Sequence, residues 1–271
     1  MIEEKVKKNI NFFFSQRLIK NSFYTGLALG FVGIIPFTFN FLVARSFGRE
    51  ILGSINITLS FCLIITIFIT NFFGSAGNKY LAEYRGSRKL EHFQFVLKIM
   101  LGTPLIILSI ISIILSWNWT YFSNKFSLQE DLLIPIIIYI FLRSFYILFR
   151  RTLYGIDLVK SYTANEIISD LIMLFAIGYV TYNKQSSFLI ECYLLSYFIF
   201  CSLSTVTLLK RFKSIKNNLN MSSHFDKRRV IKKFTHYGLV SMLGTVASTG
   251  TGYLSIIIIG IYLSNSDAGI Y

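Results

Sequence analysis

Charge is scarce in this chain of 271 residues. Only 15% are Asp, Glu, Lys or Arg, against roughly 25% in a soluble domain. With 54% hydrophobic residues and a mean hydropathy of +0.58, that scarcity excludes an ordinary soluble fold. Acids are the rarer sign, 13 against 27 Lys and Arg, for a net charge of +14. Such a balance would suit nucleic acid, but the basic residues sit in short clusters between long apolar runs. That is the pattern of loops at a bilayer surface, so no nucleic-acid partner is expected. Cysteine is nearly absent, and Cys62, Cys192 and Cys201 all lie in apolar runs. They read as small buried hydrophobes and exclude a disulfide frame or a cysteine metal site. The three histidines, His92, His224 and His236, fall in or beside hydrophilic stretches with different neighbours. They give no metal spacing and no Ser-His-Asp arrangement. No Walker motif occurs, so no cofactor is expected, and energy must come from an ion gradient, the membrane potential or a partner. A cleavable leader is not expected either. The first residues are polar and basic (Lys5, Lys7, Lys8), and the first apolar run is too long for a signal peptide.

What is present is apolar length. Ile51–Asn78 holds 28 residues without a charge, and about 20 apolar residues cross a bilayer. Seven spans are predicted, at 24–43, 51–76, 99–117, 132–153, 162–182, 192–209 and 238–263. In the first, Gly26, Gly30 and Gly33 share a face that permits close helix contact. Pro36 should kink that span, with Asn40 one turn later on the same side. Trp117, Trp119, Tyr121 and Phe122 form an interfacial belt after the third. The basic residues test the layout. The N-terminal stretch, Lys79–Lys98, Arg150–Lys160 and Lys210–Lys233 hold 22 of the 27 Lys and Arg, and the alternate loops hold four. By the positive-inside rule the N-terminus is cytoplasmic and Tyr271 lies outside. The expected fold is an all-α polytopic membrane protein.

Residues 1–22 read as an amphipathic cytoplasmic lead-in, with Ile10, Phe13, Phe14, Arg17 and Leu18 at the interface. Residues 23–212 form a six-helix lobe, 213–237 a basic linker, and 238–271 a seventh helix. Gly48-Arg49-Glu50-Ile51-Leu52-Gly53 after the first span is weakly repeated by Ser264-Asn265-Ser266-Asp267-Ala268-Gly269 after the seventh. The repeat is parallel, and it marks the seventh helix as the start of a second lobe. The chain is then expected to be part of a protein nearer twice its length.

Three places carry a family resemblance. They are Arg45–Gly53, then Asn71-Phe72-Phe73-Gly74 with Tyr80-Leu81-Ala82-Glu83-Tyr84-Arg85-Gly86, and Asp267-Ala268-Gly269-Ile270-Tyr271. The sequence resembles the polysaccharide-biosynthesis branch of the multidrug/oligosaccharidyl-lipid/polysaccharide exporter superfamily, whose members flip lipid-linked repeat units of O-antigen or capsule. Phe47 replaces a leucine of the family pattern and Asn71 an aspartate. The resemblance implies twelve or more helices in two lobes around a cavity that opens alternately to each side. It also implies an undecaprenyl-pyrophosphate-linked oligosaccharide as the substrate partner, with the bilayer and other polysaccharide-assembly proteins around it, and a non-enzymatic role.

Arg143 is the sharpest single residue, because an arginine at mid-helix costs about 2.5–3.5 kcal/mol to insert. Tyr139, Arg143, Tyr146 and Arg150 share one helical face. Guanidinium forks suit phosphate, and phenol rings stack on sugars. The alternative is an ion pair of Arg143 with Glu166 or Asp170, with Arg150 at the cytoplasmic surface. Glu166 and Asp170, four apart, are candidates to bind a coupling ion or to pair with Arg143. Arg45 and Asn40 are cavity candidates, Arg45 otherwise being an interfacial anchor. Glu83 and Arg85 read as solvated loop charges. Ser241, Thr245, Ser248 and Gly252 form a small polar stripe on the seventh helix. A drug exporter of the same superfamily would carry an acid in its first helix, and 24–43 has none. A polymerase would carry a large external loop, and an acyltransferase a histidine within a span; neither is present.

Overall fold

Lipid offers no hydrogen bonds, so each spanning segment must satisfy its own backbone. The computed structural model, which describes residues 16–126, 128–217 and 225–270, accordingly consists of helices joined by short turns. The spanning helices are α1 (Gln16–Phe47), α2 (Arg49–Gly86), α3 (Leu90–Trp117), α5 (Leu133–Gly155), α6 (Val159–Tyr182), α7 (Leu189–Asn217), and α8 (Lys227–Thr245), which continues through a π-helical turn at Val246–Gly250 into α9 (Thr251–Tyr262). Short helices α4 (Trp119–Phe126) and α10 (Asn265–Ile270) and two 3-10 turns, Glu130–Leu132 and Ser186–Phe188, complete the helices of the described residues. Among the described residues seven segments are long and apolar enough to cross a membrane, as expected. The expected lead-in residues Ile10, Phe13 and Phe14, and also His224, lie outside the described residues.

α2 is the axis. In its most apolar stretch 56% of the residues are buried, against 22% in α1 and 11% in the seventh span. It packs on α1, α3, α5, α8, α9 and α10. Small residues make these approaches close, which is how helices associate in lipid. A Cβ on Gly77 would lie 2.1 Å from Met100 Sδ, one on Gly238 2.9 Å from the Phe72 carbonyl, and one on Gly260 2.3 Å from Ile57 Cδ1. The expected contact face on α1 is different. Gly26, Gly30 and Gly33 have nothing within 4 Å of a built Cβ. Small residues permit contact but do not compel it, and α1 instead sets Ala28, Ile35, Phe39 and Val43 into the core.

Helix ends follow packing more than hydropathy. α2 runs ten residues past the predicted end of its span, because Tyr80, Leu81 and Tyr84 are buried. Tyr84 meets His92 at 5.0 Å between ring centroids, and the Tyr80 hydroxyl donates to the Lys233 carbonyl at 3.1 Å. Arg85 is no free loop charge. It sits on α2, 3.7 Å from Asp157 in the α5–α6 turn. Asn21 of α1 donates to the same aspartate at 3.3 Å, Thr163 donates to the Tyr24 carbonyl at 3.0 Å, and Tyr154 donates to Thr25. The motif at Tyr80–Gly86 therefore works as a dock for α8 and for the α5–α6 turn.

At the other end of α2, Gly48 adopts φ +87°, which a side chain would strain, and it separates α1 from α2. Ser264 and Asp267 cap α10: the serine hydroxyl donates to the carboxylate at 2.6 Å and accepts from Asp267 N–H at 3.1 Å.

Candidate functional site

α5 carries the expected stripe of tyrosine and arginine toward α7 and a cleft between α1 and α9. Arg143 is half-buried near its middle. Its Nη1 donates to the Tyr197 hydroxyl of α7 at 2.8 Å. Its guanidinium lies 5.1 Å from the Tyr197 ring centre and 5.2 Å from that of Tyr146, within cation–π range. Tyr139 and Tyr193 extend the cluster, with centroids 5.7 and 6.0 Å from Tyr197. The ion pair weighed for Arg143 does not form: among the described residues its partners are tyrosines, and no carboxylate bridges it. Its buried Nε has no hydrogen-bond partner among those residues.

Two cavities meet at this arginine. The larger, about 470 Å³, has Thr25 of α1, Thr66, Thr70, Asn71 and Asn78 of α2, Arg150, Arg151 and Tyr154 of α5, and Thr249 in its wall. The smaller, about 300 Å³, lies toward the other end of α5, with Asn40, Tyr139, Asp170, Tyr193 and Tyr197. Arg143, Leu63 and Tyr253 belong to both walls. The larger cavity thus has three arginines and no carboxylate among the described residues of its wall. Arg150 also lies over the Tyr162 ring at 5.4 Å. Three guanidinium groups with no carboxylate beside them among the described residues of the wall favour an anion.

The remaining predicted residues separate. Asn40 and Tyr139 line the smaller cavity, and Tyr146 joins them. Arg45 is exposed in the last turn of α1, outside both walls. Glu166 is fully buried behind the site, where the Tyr146 hydroxyl donates to its Oε1. Asp170, one turn on, is 8% exposed and lines the smaller cavity. Asn71 lines the larger cavity and donates from Nδ2 to the Ile67 carbonyl at 2.9 Å. The stripe expected at Ser241, Thr245, Ser248 and Gly252 lies outside both walls, where Thr249 and Tyr253 stand instead. Thr249 lies in the π-helical turn, which rotates the face of the helix that follows it.

Sequence reasoning missed Tyr193, Tyr197, Arg151 and Tyr253. Tyr193 and Tyr197 carried a usable signal, two tyrosines one turn apart in an apolar span. Arg151 followed Arg150 and read as one more surface charge.

No curated protein matches this chain, and no solved structure does. A model of the family described as polysaccharide biosynthesis protein matches residues 18–271, a range that includes every helix around the two cavities. By that match the chain belongs to the polysaccharide biosynthesis protein family.

Proposed function

We propose that the chain is the cavity-bearing part of a flippase, one that moves an undecaprenyl-pyrophosphate-linked oligosaccharide across the cytoplasmic membrane for O-antigen, capsule or exopolysaccharide synthesis. The observation that carries this reading is Arg143, a membrane-buried cation held by tyrosine rings instead of by a carboxylate. An arginine at that depth is costly, and one with no carboxylate bonded to its guanidinium among the described residues is suited to bind a charged group that arrives. Pyrophosphate matches the guanidinium fork. Arg150 and Arg151 extend the basic wall toward one end of α5, and Asn40, Tyr139 and Tyr193 line the other part, where sugar hydroxyls and faces find hydrogen bonds and rings. In this reading the N-terminus is cytoplasmic, and the exposed basic start of α8 (Lys227, Arg228, Arg229, Lys232, Lys233) lies at the inner headgroups. Lys227–Ile270 opens a second lobe, and the protein moves its substrate without making or breaking a bond in it.

The test is the sidedness of the lipid-linked unit in cells that lack the protein. A membrane-impermeant sugar-labelling reagent applied to intact cells should find the unit lost from the outer face, and the same reagent on permeabilised cells should find it accumulated inside. Undiminished labelling at the outer face would overturn the reading.

A further inference from the structure

Glu166 is a buried acid whose place neither cavity explains. It is fully buried, it lies outside both cavity walls, and only one of its carboxylate oxygens has a hydrogen-bond partner among the described residues. That partner is the hydroxyl of Tyr146. The ring of Tyr146 in turn lies 5.2 Å from the Arg143 guanidinium and 4.8 Å from the Tyr197 ring, and Tyr197 accepts from Arg143 Nη1 at 2.8 Å. One chain of contacts therefore runs from Glu166 through Tyr146 to Arg143, and a second reaches Arg143 from Tyr146 through Tyr197.

We propose that Glu166 is a positioning residue: by accepting the Tyr146 hydroxyl it fixes the ring against which the Arg143 guanidinium is held, and so sets where that cation stands between the two cavities. Tyr146 packs between the Tyr197 and Phe200 rings at 4.8 and 4.7 Å, and with no bond to its hydroxyl the ring can still shift along them. With the hydroxyl anchored in the protein behind it, the ring stays in place. An arginine side chain has many rotamers to lose on binding an anion, and a ring that confines it beforehand lowers that loss. Glu166 does this without facing the cavity, so its own charge is kept behind the tyrosine layer. The inference rests on the flippase reading for its functional consequence, but the placement of Arg143 can be measured without any substrate.

The experiment follows the rate at which phenylglyoxal modifies Arg143 in the full protein in nanodiscs, read by peptide mass spectrometry. Glu166→Leu removes the acceptor, Glu166→Gln keeps a carbonyl that can accept, and Tyr146→Phe removes the donor. Glu166→Leu and Tyr146→Phe should each speed Arg143 modification by about fivefold, the double variant should be no faster than either, and Glu166→Gln should stay near the parent rate, which is the signature of two residues acting through one contact. Unchanged modification in Glu166→Leu, or additive effects in the double variant, overturns the proposal. Tyr146→Phe preserves the ring and most of the packing, so it decides the question even where Glu166→Leu folds poorly. Farnesyl pyrophosphate binding, measured on the parent and on Arg143→Ala, separates the two readings. If Glu166 governs Arg143 reactivity while Arg143→Ala binds this probe as well as the parent, the positioning stands and the flippase reading falls.

Discussion

Gly53 and Gly269 face each other across the α2–α10 contact, and each takes the space a side chain on the other would need. A Cβ on Gly53 would lie 1.6 Å from the Asn265 carbonyl oxygen, and one on Gly269 would lie 2.2 Å from the Arg49 carbonyl oxygen. The relation is reciprocal. In the weak repeat, Gly53 corresponds to Gly269 and Arg49 to Asn265, so each glycine receives the carbonyl of the residue four before the other glycine. The two copies of the repeated turn meet as an isologous pair does in a symmetric dimer, but within one chain.

The obstructing atoms are backbone and cannot swing aside. Gly53→Ala and Gly269→Ala should each destabilise the protein by about 2 kcal/mol, the ordinary cost of overpacking. Gly30→Ala is the control, since a Cβ there meets nothing within 4 Å, and it should stay within about 1 kcal/mol of the parent. Thermal unfolding in one detergent compares the three.

Where a side chain obstructs, a second substitution should relieve the first. Gly260→Ala collides with Ile57 Cδ1 and Cγ1. Combined with Ile57→Ala, it should cost less than the sum of the two single changes by about 1 kcal/mol or more. Additive losses would mean that α9 and α2 do not meet through this pair.

At the cavity, replacing Arg143 with lysine keeps a charge but loses the planar fork and its fit between two rings. Arg143→Lys and Arg143→Ala should both fail to restore surface polysaccharide to cells lacking the protein. Tyr197→Phe keeps the ring and loses the 2.8 Å hydrogen bond. It should slow appearance of the lipid-linked unit at the outer face by about tenfold, the scale of one hydrogen bond to a charged group.

The Tyr80 hydroxyl of α2 donates to the Lys233 carbonyl of α8 at 3.1 Å, beside ring contacts with Phe234 and Tyr237. Tyr80→Phe should cost about 1 kcal/mol. Its mark should be local, faster hydrogen exchange in 227–238 with exchange in α5 and α7 unchanged.

The helices were legible in the sequence because long apolar runs have one outcome in a bilayer. Their ends were less so. Lys79, Glu83 and Arg85 read as the end of a span, yet the helix continues through Gly86, since a charged residue ends a membrane crossing without ending a helix. The stripe on α5 was legible because Tyr139, Arg143, Tyr146 and Arg150 follow the helical period. The residues that hold Arg143 from across a gap were not, since no spacing rule joins Tyr197 to a helix 54 positions earlier. Nor did spacing divide Glu166 from Asp170. They share a face of α6, yet one is sealed behind Tyr146 and the other lines a cavity.

The π-helical turn at Val246–Gly250 sets the rotation between the two halves of the seventh span. One surplus residue in a helix rotates all that follows by about 100°. Before the turn, Gly238 rests on Phe72; after it, Gly260 rests on Ile57 and Gly269 on Arg49. A residue lost or gained within 246–250 would turn Gly260 about 100° away from Ile57 while Gly238 stayed on Phe72, and would leave the seventh span gripping its neighbour at one end and turned away at the other.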